Sequence, residues 1–468
     1  MSESKLSRRG LLSLGLGAAA SATLLPSTAV KLAHADDFGG DHDFQLNCDI
    51  KTLLASVNNA YAFLDQMMDA YATGATTRLT QSYADQIGLQ SSAFTYDNAL
   101  ILCAYLLRRG SGDIARAQVI GNGLLYAQQT DPAGDGRFRQ AYFVDHADSN
   151  GVFVNPGFSF FQGSAVGDVA WAGIALAQLF QRTRVKKYLD GAVKAATFIE
   201  TTTRDNTNVP PGGYFFGNGQ SNKSTEHNID VYALFTMLAR LTGNASWLDG
   251  AQHARTFVEA MYNTSAGFFW TGTSDPTHIF FDNIPEDVQT WSYLAFLDPD
   301  FAASLEWVKT NLATTDTSFA FNNGWHFNGN FRVSGETYAS LSKLGTVLGD
   351  QSVDADAVWC EGTSHAVAAL LARGLPPKKD IPSFHGDVNT ASLMLESVQV
   401  AQSSLGSGQT VGGQPLVDGQ GIVAATSPLN TGFGFNFLPF RHIGATSWYV
   451  MAAQLGNPLQ LGLRTPRN

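Results

Sequence analysis

Cysteine is scarce in this chain: Cys48, Cys103 and Cys360 are the only three in 468 residues. So small and odd a number cannot build a disulfide framework. No Cys-x-x-Cys and no Cys–His pair at metal-ligand spacing occurs, which argues against a zinc site. The thiols are expected in the core as small apolar groups. Positive charge is also short, with 29 Lys and Arg against 40 Asp and Glu and a formal net charge of -11. The leading segment holds Lys5, Arg8, Arg9 and Lys31 against Glu3, so the remainder is more acidic still. Such a surface repels nucleic acid and anionic membranes and suits a neutral or cationic ligand better than a polyanion. No apolar stretch beyond that segment is long enough to cross a bilayer. Phosphate-binding and dinucleotide fingerprints are missing, because the glycine-rich stretches do not follow a strand and open a helix. The Gly212–Gly217 stretch, for example, reads as a short strand and turn within a loop. No cofactor and no metal are expected.

What is present begins with an address. A basic stretch up to Arg9 precedes a Gly-, Ala- and Leu-rich run from Gly10 to Leu25, and Ala33-His34-Ala35 forms a small-x-small cleavage site. The run Ser7-Arg8-Arg9-Gly10-Leu11-Leu12 resembles a twin-arginine signal, where an ordinary secretory signal or an anchor would be the alternatives. The resemblance implies engagement of the twin-arginine translocase during export and a periplasmic or extracellular destination. It makes residues 1–35 a signal peptide and 36–468 the mature protein, with no membrane anchor. No Pro-rich, Ser-rich or charge-block linker divides that mature part, so one large domain is the simplest organisation.

Apolar residues recur at three and four along most of the chain, the period of helices. Ile50 to Tyr71 is one helical segment. Tyr96 to Arg109 pairs with Asp113 to Gln128, Val166 to Gln181 with Lys186 to Thr202, and Glu226 to Leu241 with Ala245 to Tyr262. Pro285 to Leu297 pairs with Phe301 to Leu312, and Gly362 to Arg373, Val388 to Ser403 and Ala445 to Leu455 follow. Glu336 to Leu348 is left as an accessory helix. The segments from Asn98 to Leu107 and from Ala170 to Leu179 are apolar on every side, whereas Lys186 to Ile199 is amphipathic. That alternation fits an inner ring of buried helices inside an outer ring that meets water. The acids Asp97, Asp168, Glu226, Asp287 and Glu361 open successive inner segments at uneven intervals of roughly sixty to seventy-five residues, as hairpin repeats with loop insertions would. The loops before the inner segments are long and aromatic. A solenoid or a stack of separate bundles would also give paired helices.

Five short sequences then carry a family likeness: Thr95-Tyr96-Asp97-Asn98-Ala99-Leu100, Ser224-Thr225-Glu226-His227-Asn228-Ile229-Asp230, Pro285-Glu286-Asp287-Val288-Gln289-Thr290-Trp291, Trp359-Cys360-Glu361-Gly362-Thr363 and Ala445-Thr446-Ser447-Trp448-Tyr449. With these the chain resembles the six-hairpin glycosidases, the (α/α)6-toroid glycoside hydrolases and related bacterial proteins, over essentially all of 36–468. The resemblance implies an all-α (α/α)6 toroid with a cleft where the inner helices begin, a pair of working carboxylates there, and a glycan as partner. Zinc-dependent cyclases share the toroid but need Cys and His ligands, and terpene cyclases need an Asp-rich motif; this sequence has neither.

Hydrolysis of a glycosidic bond needs a protonated carboxyl at the leaving oxygen and an ionised one to activate water, about 6.5–9.5 Å apart in inverting enzymes. Glu226 is the leading acid, since Asp230 shares its helix face at i+4 and a like charge raises a carboxyl's pKa. The helix N-terminus pulls the other way and would make Glu226 the base. Glu361 or Asp287 is the candidate base, and Asp97, Asp168 and Asp230 would hold hydroxyls or the water. Each acid has a plainer explanation as an N-terminal helix cap. His227 is a candidate for sugar contact or for structure. Trp171, Trp291 and Trp448 fall one turn inside the ring, as core or platform, and Trp359 flanks Glu361. Tyr214, Trp270, Trp325 and Phe327 are loop aromatics suited to stacking on pyranose faces. A polysaccharide lyase or sugar epimerase on the same scaffold would use Arg332, His326 and His365. A non-catalytic glycan-binding protein would keep the aromatics and lack a working carboxylate pair.

Overall fold

The computed structural model describes residues 49–466 apart from 73–76, 90, 145–152, 155–158, 208, 318–329, 346–351 and 375–382. Twelve α-helices are present among the described residues: α1 (Ile50–Asp69), α2 (Thr95–Arg108), α3 (Asp113–Thr130), α4 (Val166–Thr183), α5 (Lys186–Thr202), α6 (Thr225–Thr242), α7 (Ser246–Ala260), α8 (Asp287–Phe296), α9 (Ala302–Asn311), α10 (Cys360–Gly374), α11 (Ser383–Ser404) and α12 (Ile443–Ala453). The even-numbered helices pack in a closed circuit, α2 on α4, α4 on α6, α6 on α8, α8 on α10, α10 on α12 and α12 back on α2. The odd-numbered helices lie outside them, as α5 does on α4 and α6. This is the (α/α)6 toroid.

Side-chain distribution explains the two rings. Almost all of α2 and α4 is buried, whereas α5 buries only Tyr188, Gly191, Ala192, Ala195, Ala196, Phe198 and Ile199 along one stripe. Small residues let the inner helices approach: a Cβ on Gly173 of α4 would meet Leu234 Cδ2 of α6 at 2.7 Å. Inner helices α2, α4, α6 and α8 each end in a left-handed residue, Arg109, Arg184, Gly243 and Leu297. That residue reverses the chain directly into the outer partner, so the short connections gather at one end and the long ones at the other. Cys103 and Cys360 are buried and unpaired, and burial pushes the Cys103 thiol up to about 12.

The long loops are pinned by short antiparallel pairs, including Ser92–Phe94 with Ala141–Phe143 and Ile422–Val423 with Arg441–His442. One expectation fails here. Of the helix expected from Glu336 to Leu348, Glu336 instead ends a strand, Arg332–Glu336, paired with Ala313–Thr317, Ser340–Leu344 is a single 3-10 turn, and residues 346–348 lie outside the described residues. Val333 is fully buried while Arg332 is exposed, a two-residue alternation that a helical reading of the apolar spacing overlooked. Cys48 and the whole signal segment lie outside the described residues.

The loop before α6 is held by a buried ion pair. Lys223 Nζ lies 2.7 Å from Asp205 Oδ2, with both side chains fully shielded, and donates to the carbonyls of Pro210 and Gly212 at 2.8 and 2.9 Å. Removing one partner strands the other charge in the interior. Asp205→Ala is therefore expected to cost about 3–5 kcal/mol, read as a drop in the urea midpoint. Asp205→Ala combined with Lys223→Met should recover part of that loss.

Candidate active site

Each inner helix begins at the long-loop end, so the residues of their first turns face one another across the ring. Asp97, Asp168, Glu226, Asp287 and Glu361 all lie in first turns. Asp97, Asp287 and Glu361 are buried, whereas Asp168 and Glu226 keep partial exposure. The site is thus open to solvent on the α4–α6 side.

The acids sense one another. Burial and the charge of Asp168 push the Glu226 carboxyl up to about 7, against the pull of His365. Burial, then Asp97, raises Asp168 well above the usual carboxylate range. Burial, then Glu226 and Glu286, does the same to Asp287. Glu361 goes the other way. Burial alone would raise it, but His365, His442 and Tyr96 outweigh that and hold it below its ordinary value.

The network behind this opposition is built from four inner helices, α2, α8, α10 and α12. Tyr96 donates its hydroxyl to Glu361 Oε1 at 2.6 Å and accepts the Trp448 indole N–H at 2.8 Å. His365, one turn below Glu361 on α10, places Nε2 at 3.7 Å from Glu361 Oε1 and Nδ1 at 3.1 Å from Glu286 Oε2. Burial disfavours its charge, yet the two glutamates push it up to about 9, so it is an imidazolium at neutral pH. His442 lies 3.0 Å from Asp97 Oδ1 and 3.5 Å from Glu361 Oε2, caps α12 through the Ala445 amide, and stacks on Tyr83 at 4.0 Å.

One turn deeper the inner helices supply a floor. Trp171, Trp291 and Trp448 meet at ring separations of 5.2, 5.9 and 6.2 Å, and His365 packs on Trp448 at 4.4 Å. All three indoles are buried, so they close the ring axis instead of offering a free platform. Asp230 lies in the same layer, fully buried, with neither carboxylate oxygen hydrogen-bonded. Burial, then Glu226, Asp287 and Asp168, raise its pKa well above the usual carboxylate range, and its depth places it beneath the first-turn acids.

Other sequence candidates disperse. Tyr214 is fully buried, donates to Glu200 at 2.6 Å and packs on Phe235 and His253. It fills the space between α5, α6 and α7, and its loop position misled because that loop folds inward. His227 is buried beside Gly167, against Phe216 at 4.4 Å, and burial lowers it to about 4, leaving it neutral. Trp359 is buried in the wall next to His365 at 5.1 Å. Trp270 is partly buried against Phe281. Trp325, His326 and Phe327 lie outside the described residues, and Arg332 is exposed on its strand. Sequence reading did not single out Tyr96, Glu286 or His442 as functional. Glu286 adjoins Asp287, and His442 stands where the sixth inner helix begins, which were the available signals.

No protein-family model matches the chain, and no curated protein matches it. Solved structures do. An alpha-1,6-mannanase of glycoside hydrolase family 76 from a Salegentibacter species is 12% identical, with a TM-score of 0.52 over 86% of this chain and 98% of that one. A family 76 glycoside hydrolase from a bovine Bacteroides thetaiotaomicron strain is 14% identical, with a TM-score of 0.53 over 86% and 77%. Cellobiose 2-epimerase from Bacillus thermoamylovorans is 11% identical, with a TM-score of 0.53 over 85% and 99%. The chain has the six-hairpin (α/α)6 fold that these proteins share.

Proposed function

We propose that the protein is a glycoside hydrolase acting on an uncharged polysaccharide or oligosaccharide, with Glu226 as proton donor and Glu361 as the ionised carboxylate. The observation that carries this is the opposite displacement of two first-turn carboxyls on different inner helices, one raised to about 7 and one held down. Environments that push a pair apart in this way divide the acid from the base. Glu226 gives its proton to the glycosidic oxygen as the C1–O bond breaks. Glu361 takes a proton from the water whose oxygen bonds to C1, which inverts the anomeric centre. Asp287, the other candidate base, is displaced the wrong way for that role. Asp97 and Asp168 remain to hold hydroxyls or the water.

Two related structures support the chemistry. A Salegentibacter mannanase variant with two consecutive aspartates amidated is described as inactive and was obtained with alpha-1,6-mannotriose. A glycosidase with one glutamate replaced by alanine was obtained with glucose. An epimerase reading has the paired imidazoles of His365 and His442 in its favour. Both are buried and engaged with carboxylates, however, so hydrolysis is the better supported reading. Of the residues a lyase would use, Arg332 is exposed on its strand, His365 is buried between two glutamates and His326 lies outside the described residues, and a purely binding protein would have no use for carboxyls driven apart.

Glu226→Gln should lower kcat/KM by about 10²–10⁴ on a neutral glycan in a reducing-sugar assay, with far-ultraviolet circular dichroism unchanged. In the unmodified enzyme kcat/KM should fall as pH rises through about 7, where Glu226 loses its proton. An alkaline limb that stays put near 7 in Glu226→Gln would assign that titration elsewhere. Proton NMR of the first-formed product should show the inverted anomer. We further propose export by the twin-arginine route: replacing Arg8 and Arg9 with Lys should leave the precursor in the cytoplasmic fraction on immunoblots.

A further inference from the structure

Beyond the acids, rings from three loops form a continuous train. Tyr338 accepts the Glu286 amide on its carbonyl at 2.8 Å, beside the start of α8. Trp359 stands two residues before Glu361 and packs on Tyr338 at 4.7 Å. Phe437 stacks on Trp359 at 5.7 Å with only 14° between planes, and Phe435 follows at 5.6 Å. A second branch runs from Tyr338 to Phe433 at 6.2 Å and on to Phe280 at 6.3 Å. Exposure grows outward: Trp359 and Tyr338 are 4% and 9% exposed, whereas Phe433 and Phe435 are 39% and 49% exposed.

Packing alone does not account for phenylalanines left in water at the end of a stacked series. Beyond Trp359, which meets His365 at its inner end, the ring contacts of the series are to other uncharged aromatic rings, and the Trp359 indole N–H lacks a hydrogen-bond partner. The phenol of Tyr338 feels the charges of Asp287, Glu226, Glu361 and Glu286, which ties the inner end to the acids. Ring faces bind the apolar faces of pyranoses and need no charge on the ligand.

We propose that Phe437, Phe435, Phe433 and Phe280, seated on the buried pair Tyr338 and Trp359, form an extended binding track for an uncharged glycan chain leaving the acid basin, so that several sugar units are gripped beyond the one at the acids. This rests on the glycoside hydrolase reading above. It makes the enzyme selective for chain length, with the outer phenylalanines acting only on ligands long enough to reach them.

The test measures binding and turnover separately. Glu226→Gln protein is titrated calorimetrically with alpha-1,6-mannobiose, alpha-1,6-mannohexaose, cellobiose and cellohexaose, alone and with Phe433→Ala and Phe435→Ala added. A hexaose should bind at least tenfold more tightly than its biose, and removing both phenylalanines should cut that advantage about fivefold to tenfold. Leu393→Ala, at an exposed apolar position on α11, should leave the ratio unchanged. Equal affinity for biose and hexaose, an advantage that survives loss of both rings, or no binding of any of the four sugars overturns the track. The kcat/KM ratio of hexaose to biose in the unmodified enzyme gives the second arm. Cleavage without length dependence sinks the track and leaves the hydrolase reading standing. Length-dependent binding without cleavage does the reverse.

Discussion

A carboxylate buried next to another carboxylate is unstable unless one of them takes a proton or a cation answers it. The closed inner ring forces this situation, because it directs six helix starts at one small region and five of them bring an acid. The helix dipoles offset some of the repulsion. The rest is relieved in two ways. Asp168, Glu226, Asp230 and Asp287 hold protons more tightly than free carboxyls do, while Glu361 and Asp97 are answered by His365 and His442. The contrast between a proton-holding and a charge-holding group is therefore a product of ring closure and not of any one residue.

The tryptophan floor sets the depth at which that contrast operates. With Trp171, Trp291 and Trp448 filling the axis, water and ligand meet the acids from one end only, and His365 is pressed between indole and carboxylate with little freedom to turn. Rigid packing of this kind holds Glu361 in one relation to Tyr96 and His442.

Much of this was legible in the sequence, for identifiable reasons. All-round apolar segments alternating with amphipathic ones report two helix rings, and acids opening each apolar segment report one common end. Helix limits came out within a few residues because both patterns are local. The misses are the features that depend on contacts between distant segments. His365 was read only as a residue for a rival chemistry, since nothing near it in sequence shows Glu286 on the neighbouring helix. Tyr214 looked like a rim aromatic because its inward fold depends on Glu200 and Gly250. The Glu336–Leu348 segment satisfied a helical spacing, but its first residue is already the end of a strand, Arg332–Glu336, whose partner is Ala313–Thr317. Asp230 follows Glu226 at i+4, but the charge that acts most on Glu226 is Asp168 on the neighbouring inner helix, and the depth of Asp230 depends on packing that its neighbours in sequence do not show.

The bond between His442 and Asp97 joins positions 345 residues apart and lies where α12 closes onto α2. Five inner helices can assemble progressively as they emerge from synthesis, but the arc stays open until the last one docks, and contacts of such long range form late and slowly. Until that moment Glu361 lacks His442 and the floor lacks Trp448. A ribosome-bound or prematurely terminated chain therefore has most of the scaffold but lacks the His442 side of the charge arrangement. Completion of the circle is thus the step that brings the last histidine and the last indole into place, and α12, the final helix of the chain, is the element on which it waits.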